Sequence, residues 1–168
     1  AREQYPGQMN FIEGNRVFDV RYGLHYMYAD SNTFLYNRFE NSTAGAAIMF
    51  TRGIVMRHNV FGRNRSFSAF GVLLQDCHGL TADSNLIVDN VTALAGGGIS
   101  LQDAVNVRII NNTVARNDST ATAGEAFDTL ANQSSPQPAG IVSRAHTLAF
   151  SLAAPAPAYS DPVLRNNI

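Results

Sequence analysis

The sequence lacks lysine and tryptophan, contains one cysteine and carries few charges. All 12 basic residues are arginine, which excludes Schiff-base chemistry on a lysine and a P-loop lysine. The single cysteine, Cys77, excludes an intrachain disulfide framework and a multi-cysteine zinc site. The net charge is −1, so no global field steers the chain to nucleic acid. No apolar run is long enough to span a membrane.

Asparagine recurs with a regular period. The pattern apolar-x-x-Asn-x-apolar occurs six times, at Asn15, Asn37, Asn59, Asn85, Asn112 and Asn166. The first four spacings run from about 22 to about 27 residues, a period typical of solenoid repeats. Repeats of this length with short, alternating apolar segments favour a parallel β-helix, in which equal positions of successive coils stack. We interpret these asparagines as a structural ladder of amides that hydrogen-bond from coil to coil.

A glycine precedes a short apolar segment in each repeat. We interpret this glycine as a sharp corner or a positive φ angle, at Gly23, Gly45, Gly71, Gly98 and Gly140. The last asparagine interval is twice as long as the one before it, which indicates one coil with two loop insertions, residues 118–139 and 145–161. The sequence therefore predicts an all-β fold, a right-handed parallel β-helix of about five coils plus a partial coil. The whole chain, residues 1–168, is expected to form this one domain.

Chemically versatile side chains are concentrated between residues 19 and 28. Tyrosine faces stack on sugar rings, while arginine and aspartate fix hydroxyls or carboxylates. We therefore predict a binding site made of Asp19, Arg21, Tyr22, His25, Tyr26 and Tyr28. In a polysaccharide lyase or epimerase, Arg21, Tyr22 and His25 would be the charge neutraliser, acid and base. The alternative is a structural aromatic ladder with a salt-bridged corner.

Soft metal ligands are present but scattered. Met27 and Met49 are separated by one repeat period and should stack one coil apart, which makes them weak copper candidates, although stacked methionines more often fill a core. Cys77 and His78 are adjacent in a predicted strand and point to opposite faces, so we expect Cys77 to be a buried hydrophobe. We expect no cofactor, with copper the one metal to consider, held weakly or not specifically by the isolated chain.

A basic stretch follows in the third repeat. It contains Arg52, Arg57, Arg63 and Arg65, and would suit an acidic partner or an anionic polysaccharide, although a solvated surface is the more common outcome.

One part of the sequence has a family resemblance. The run from Asn15 to Tyr28, above all Arg21-Tyr-Gly-Leu-His-Tyr-Met-Tyr28, and then Gly45-Ala-Ala-Ile-Met-Phe50 resemble the NosD family. These are periplasmic β-helix proteins that accompany the maturation of nitrous oxide reductase. The resemblance covers residues 10–92. Residues 93–168 resemble generic secreted right-handed β-helix proteins, and 13 aromatic residues lie in residues 1–70 against three in residues 71–168.

The resemblance implies a non-enzymatic accessory or binding module related to periplasmic copper-site assembly. It implies protein partners and a periplasmic or secreted location, although the chain shows no signal peptide. Two alternatives stay open: a carbohydrate-active β-helix that acts on a polysaccharide, and a structural repeat without its own activity, as in a fragment or a fusion. Because neither end of the repeat has an evident cap, we also expect end-to-end self-association.

Overall fold

The computed structural model describes residues 7–66, 70–93, 97–120, 139–153 and 157–168. The chain winds into a parallel β-solenoid with little helix, so the predicted fold class is confirmed. The described part contains no helix with the length and apolar character needed to cross a membrane.

Parallel strands stack into four sheets, and each turn of the chain adds one strand to most of them. Sheet A contains β1 (Phe11–Glu13), β4 (Thr33–Leu35), β7 (Val55–Arg57), β11 (Thr81–Asp83), β15 (Arg108–Ile110) and β19 (Val163–Arg165). Sheet B contains β2 (Arg16–Phe18), β5 (Arg38–Glu40), β8 (Val60–Gly62), β12 (Leu86–Val88) and β16 (Thr113–Ala115). Sheet C contains β3 (Tyr22–Met27), β6 (Ala44–Arg52), β10 (Val72–His78), β14 (Ile99–Gln102) and β18 (Ile141–Ser143). The small sheet D contains β9 (Arg65–Ser66), β13 (Val91–Thr92) and β17 (Asp118–Ser119).

The core lies inside the solenoid and is built by the alternation of each strand. The central residue of a three-residue strand points inward, so equal positions stack on one another, as Phe39 does on Phe61 with 5.4 Å between ring centroids. Full burial of a Phe, Ile, Leu or Met side chain stabilises the fold by about 1.5–3 kcal/mol each. The largest fully buried side chains include Phe34, Phe61, Ile48, Met56, Leu74, Ile87, Leu101 and Ile109.

Asparagines that follow the strands of sheet A bond to the adjacent turns. The Oδ1 atom of Asn59 accepts hydrogen bonds from the backbone N–H and the side-chain amide of Asn37, both at 3.0 Å. Its Nδ2 donates to the Phe34 carbonyl at 2.9 Å and to Asn85 Oδ1 at 3.1 Å. These bonds satisfy buried polar groups at a corner where the sheet ladders are interrupted. A second row of the same kind follows sheet B and contains Ser42, Asn64, Asn90 and Asn117.

The last member of the first row differs from the prediction by one residue. The residue before each inward asparagine has a positive φ angle, and at the last corner Asn166 takes this left-handed position with φ 52°. Asn167 therefore points inward, and its Oδ1 accepts from Asn112 N at 2.9 Å and Asn112 Nδ2 at 3.1 Å. Asn166 instead donates to Asn111 Oδ1, at the outer side of the corner. Assigning Asn166 to the inward row was thus wrong.

Four of the repeated glycines, Gly23, Gly45, Gly71 and Gly98, are required for close backbone approach and not for positive φ, whereas a Cβ on Gly140 would meet open space. The described glycines with positive φ are Gly14, Gly53 and Gly79. A Cβ on Gly23 would lie 2.6 Å from the Gly45 carbonyl oxygen, and one on Gly71 would lie 2.7 Å from that of Gly98. Neighbouring turns therefore meet backbone to backbone where sheet C begins, and any side chain would push them apart.

The structure changes the extent of the first insertion and describes part of the second. Asp118–Ser119 pairs with Val91–Thr92, so the repeat continues past the predicted start at residue 118, and residues 121–138 lie outside the described part. The second insertion contains the short helix α1 (Leu148–Ala153). Thr147, just before α1, donates from its backbone N–H and hydroxyl to the Asp103 carboxylate at 2.7 and 2.8 Å, which anchors α1 to the solenoid.

Candidate functional site

Three residues of the predicted 19–28 site contact one another on the surface. The rings of Tyr22 and His25 stack with 4.8 Å between centroids, and the Arg21 guanidinium lies 5.2 Å from the Tyr22 centroid. Arg21 and His25 are exposed and Tyr22 is half-buried. The three side chains predicted as catalytic candidates therefore lie together.

The other three residues of that set face elsewhere. Tyr26 points inward with its ring edge-on to Phe34, at 5.0 Å between centroids, and burial raises the pKa of its phenol. Tyr28 occupies the corner after sheet C, where it stacks on Phe50 at 5.0 Å with 6° between ring planes. Asp19 occupies the corner after sheet B. Corners at residues 19 and 28 thus distribute a continuous sequence motif over different faces.

Met27 and Met49 lie side by side on the outward face of sheet C. Leu24 and Tyr26 pack against the core, so by alternation His25 and Met27 face outward. Met27 is in register with Met49, at the strand spacing of about 4.8 Å. Two thioethers with an imidazole two residues along the same face are ligand types that suit Cu(I).

Harder metals lack a comparable set of ligands. No group of three or more His, Cys, Asp or Glu residues within the described ranges could hold a metal ion. The outward column that begins with Met27 and Met49 continues as Gln75 and Gln102, so within this column sulfur is confined to the first two turns. The donor set therefore fits a soft monovalent copper ion and not zinc or calcium.

Cys77 is buried, as predicted. Its side chain is buried in the core, and burial raises the pKa of its thiol to about 11. His78 lies half-buried with its Nε2 atom 3.2 Å from Asp76 Oδ1. The two adjacent residues thus have separate surroundings and do not form a common metal site.

A buried carboxylate surrounded by arginines lies on the outer side of sheet B. The Glu40 side chain is 2% exposed and lies 2.9 Å from Arg38, 2.8 Å from Arg63 and 3.7 Å from Arg16. Hydrogen bonding from Arg38 is the largest cause of the lowered pKa of Glu40. On the next turn, Gly62 is in register with Glu40.

A cleft of about 580 Å³ lies beside this cluster, where the turns change length. The asparagine spacing rises from 22 residues before Asn59 to 26 residues after it. The longer turns contain sheet D. The cleft is lined by Asp19, Val20, Asn41, Ser42, Thr43, Arg63 and Arg65. The basic stretch was visible in the sequence, but the cleft and the role of Glu40 were not predicted. The change in repeat length was the signal that could have located it.

One known family matches the chain, and the match extends over more residues than the predicted resemblance. Residues 5–132 match the family model of NosD, described as periplasmic copper-binding protein. The match continues beyond residue 92, where the resemblance was predicted to end. No curated protein and no solved structure matches the chain. Because the match covers more than half of the 168 residues, the chain belongs to the NosD family of periplasmic copper-binding proteins.

Proposed function

We propose that this protein is a non-enzymatic accessory protein in the periplasmic assembly of the copper sites of nitrous oxide reductase, and that it offers Cu(I) a labile position at Met27 and Met49. The observation that carries the proposal is the in-register pair of outward methionines in a chain of a periplasmic copper-binding family. A protein partner follows from this role, since the copper must pass to another chain.

The ligand chemistry favours transfer over storage. Thioethers are soft, neutral ligands, and neither methionine must lose a proton to bind Cu(I). Both are only half-buried, so a bound ion would stay accessible to a partner's ligands. His25 is the third donor on this face, and its ring would have to leave the stack on Tyr22 to take part.

Titration of Cu(I) against a competing chelator tests the copper position. We expect weak binding that disappears in the double variant Met27→Leu/Met49→Leu, because leucine keeps the volume but removes the sulfur. Met9→Leu is the matched control, since Met9 is 78% exposed and lies outside the pair. Equal binding by the double variant and the wild type would refute the position. A submicromolar site lost in the double variant would refute its labile character.

The accessory role is tested separately in a denitrifying host that lacks its own NosD-family protein. Expression of this chain with a secretion signal should raise the copper content of purified nitrous oxide reductase, and the double methionine variant should raise it less. An unchanged copper content with the wild-type chain present in the periplasm would contradict the role.

A second candidate function is supported by the contact between Arg21, Tyr22 and His25. These residues could serve a carbohydrate-active β-helix as charge neutraliser, acid and base. Incubation with polymannuronate and polygalacturonate, followed by ultraviolet detection of unsaturated ends, tests a lyase. Proton exchange at C5 tests an epimerase. Turnover that is lost in His25→Gln would favour this candidate over the accessory role.

A further inference from the structure

The cleft at the change of turn length carries positive charge that the proposed function does not use. We infer that this cleft binds an acidic peptide segment of a partner protein, with Arg63 and Arg65 contacting its carboxylates. The inference goes beyond the copper position and uses none of its residues, which lie on the outward face of sheet C. A failed copper titration therefore leaves it intact.

The cleft is formed because short turns lie beside longer ones. In the first two turns the chain passes directly from the corner after sheet B into sheet C, and Thr43 N–H donates to the Val20 carbonyl at 3.0 Å. In the third turn, β9 continues from the corner, and its Arg65 N–H donates to the Ser42 carbonyl at 2.9 Å. The cleft is thus lined by Val20, Ser42 and Thr43 from the short turns and by Arg63 and Arg65 from the longer one.

The two cleft arginines differ in how they are held. Arg63 donates to Glu40 at 2.8 Å and to Asn41 Oδ1 at 3.2 Å, which fixes its guanidinium at the cleft. Arg65 is exposed, and its side chain makes no hydrogen bond within the described ranges. One preorganised and one available guanidinium therefore share the cleft, and a preorganised donor lowers the entropy lost on binding.

Guanidinium groups outnumber carboxylates around the cleft. Glu40 is shared by Arg16, Arg38 and Arg63, so one carboxylate faces three guanidinium groups. Arg65 adds a fourth cation, and Asp19 is the one carboxylate among the described lining residues, while Asp89, which pairs with Arg116, also interacts electrostatically with Arg63 and Arg65. This surplus stands in a chain whose net charge is −1, so it is a local feature that attracts anions.

The lining favours a peptide over an acidic sugar. Sugar rings are commonly held against aromatic faces, and none of the described lining residues is aromatic. A planar guanidinium matches a carboxylate in two parallel hydrogen bonds. Val20 in the lining is 42% exposed, which gives an apolar contact to a residue beside the acidic ones of a peptide.

Fluorescence anisotropy with a labelled hexaglutamate peptide and the full chain tests the inference at low ionic strength. We expect saturable binding that weakens as salt is raised. Arg65→Gln should weaken it about two- to fivefold, the range for an exposed charge pair. Thr43→Glu should weaken binding more, because it places a negative charge in the cleft that repels the negatively charged peptide. Arg108→Gln is the matched control, since Arg108 is also an exposed arginine that begins a strand.

Trigalacturonate and inorganic phosphate are the competing probes. The inference is overturned if hexaglutamate does not bind, if Arg108→Gln loses as much affinity as Arg65→Gln, or if both cleft variants bind like the wild type. Tighter binding of trigalacturonate than of hexaglutamate, or displacement of the peptide by an equal concentration of phosphate, would overturn the peptide as occupant. Circular dichroism of each variant separates loss of binding from loss of fold, and Arg65→Gln remains decisive if Thr43→Glu unfolds.

Discussion

The first and the later turns of the solenoid close the same corners with different residues. Near the ends of the sheet C strands, the residues with positive φ are Tyr28 and Phe50 in the first turns and Asp76 and Asp103 in the later ones. After sheet A, the row begins with Gly14, Tyr36 and His58 and continues as Ser84, Asn111 and Asn166. At these positions the positive φ is kept while the side chains change from mostly aromatic to small and polar, whereas the corner after sheet B is polar or charged in every turn, from Asp19 to Arg116.

The energetic balance differs between the two regions. The left-handed conformation costs about 1–2 kcal/mol for an ordinary L-residue, and Asn and Asp offset this by local hydrogen bonds. In the first turns, Tyr36 and His58 stack at 4.9 Å with 12° between ring planes, and such a pair contributes about 0.5–1.5 kcal/mol. Because both residues carry the strain and share one stack, stacking offsets only part of the backbone strain in the early turns. It also leaves aromatic surface in solvent, since Tyr36 is 56% exposed.

Both regions contain the buried asparagines, and removing one of these side chains should cause the largest loss of stability. Asn59→Ala would delete four hydrogen bonds and leave buried groups of Asn37 and Phe34 unpaired. We expect a loss of about 3 kcal/mol in the free energy of unfolding, measured by urea denaturation. Asn15→Ala, at the exposed first turn, should cost about 1 kcal/mol. Equal costs at the two positions would show that burial of the row is unimportant.

The next largest loss of stability is expected where the backbones of adjacent turns come into close contact. Gly71→Ala would place a Cβ 2.7 Å from the Gly98 carbonyl oxygen and 2.8 Å from Asn90 Nδ2, so adjacent turns must separate. We expect destabilisation by about 2 kcal/mol in the same urea assay. Gly79→Ala is a useful contrast, because Gly79 has open space but φ 68°, so its cost is conformational and should be about 1 kcal/mol. A Gly71→Ala variant as stable as the wild type would contradict the close approach.

A smaller difference in stability is expected for substitutions at the corners themselves. Tyr36→Ala loses the stack on His58 but keeps the left-handed strain, whereas Tyr36→Gly loses the stack and relieves the strain. We therefore expect Tyr36→Gly to be more stable than Tyr36→Ala by about 1 kcal/mol, the reverse of the usual order in regular structure. The matched pair in the later turns is Ser84→Gly and Ser84→Ala, which tests the same φ without a ring stack in the wild type. Glycine no better than alanine at position 36 would mean that the corner relaxes.

The solenoid was predictable from the sequence because stacking makes equal positions share one environment. The asparagine spacing and alternating apolar residues were therefore sufficient to predict the parallel β-solenoid. The choice between neighbours such as Asn166 and Asn167 was not predictable, since it depends on which residue takes positive φ. Residues 19–28 lie on different faces for the same reason, since Asp19 and Tyr28 take positive φ. The cleft was not predictable because its lining comes from three different turns.

The last comparison concerns carboxylates and has the smallest expected effect. Glu40 is buried among arginines in the early turns, whereas Asp89 in the later turns meets Arg116 at an exposed corner. The pKa of Glu40 is lowered in the folded state, so its stabilising contribution is present above the pKa of an unfolded glutamate, about 4.3, and is lost as pH falls through the lower folded value.

Glu40→Gln removes this contribution, so its urea midpoint should fall less than that of the wild type as the pH is lowered from about 5 to about 3. The difference should be modest because the arginine partners are about half exposed and screened by solvent. Asp89→Asn should follow the wild-type pH dependence closely because its pair is exposed. If Glu40→Gln and the wild type lost stability in parallel, the arginines would not be stabilising the charged form of Glu40.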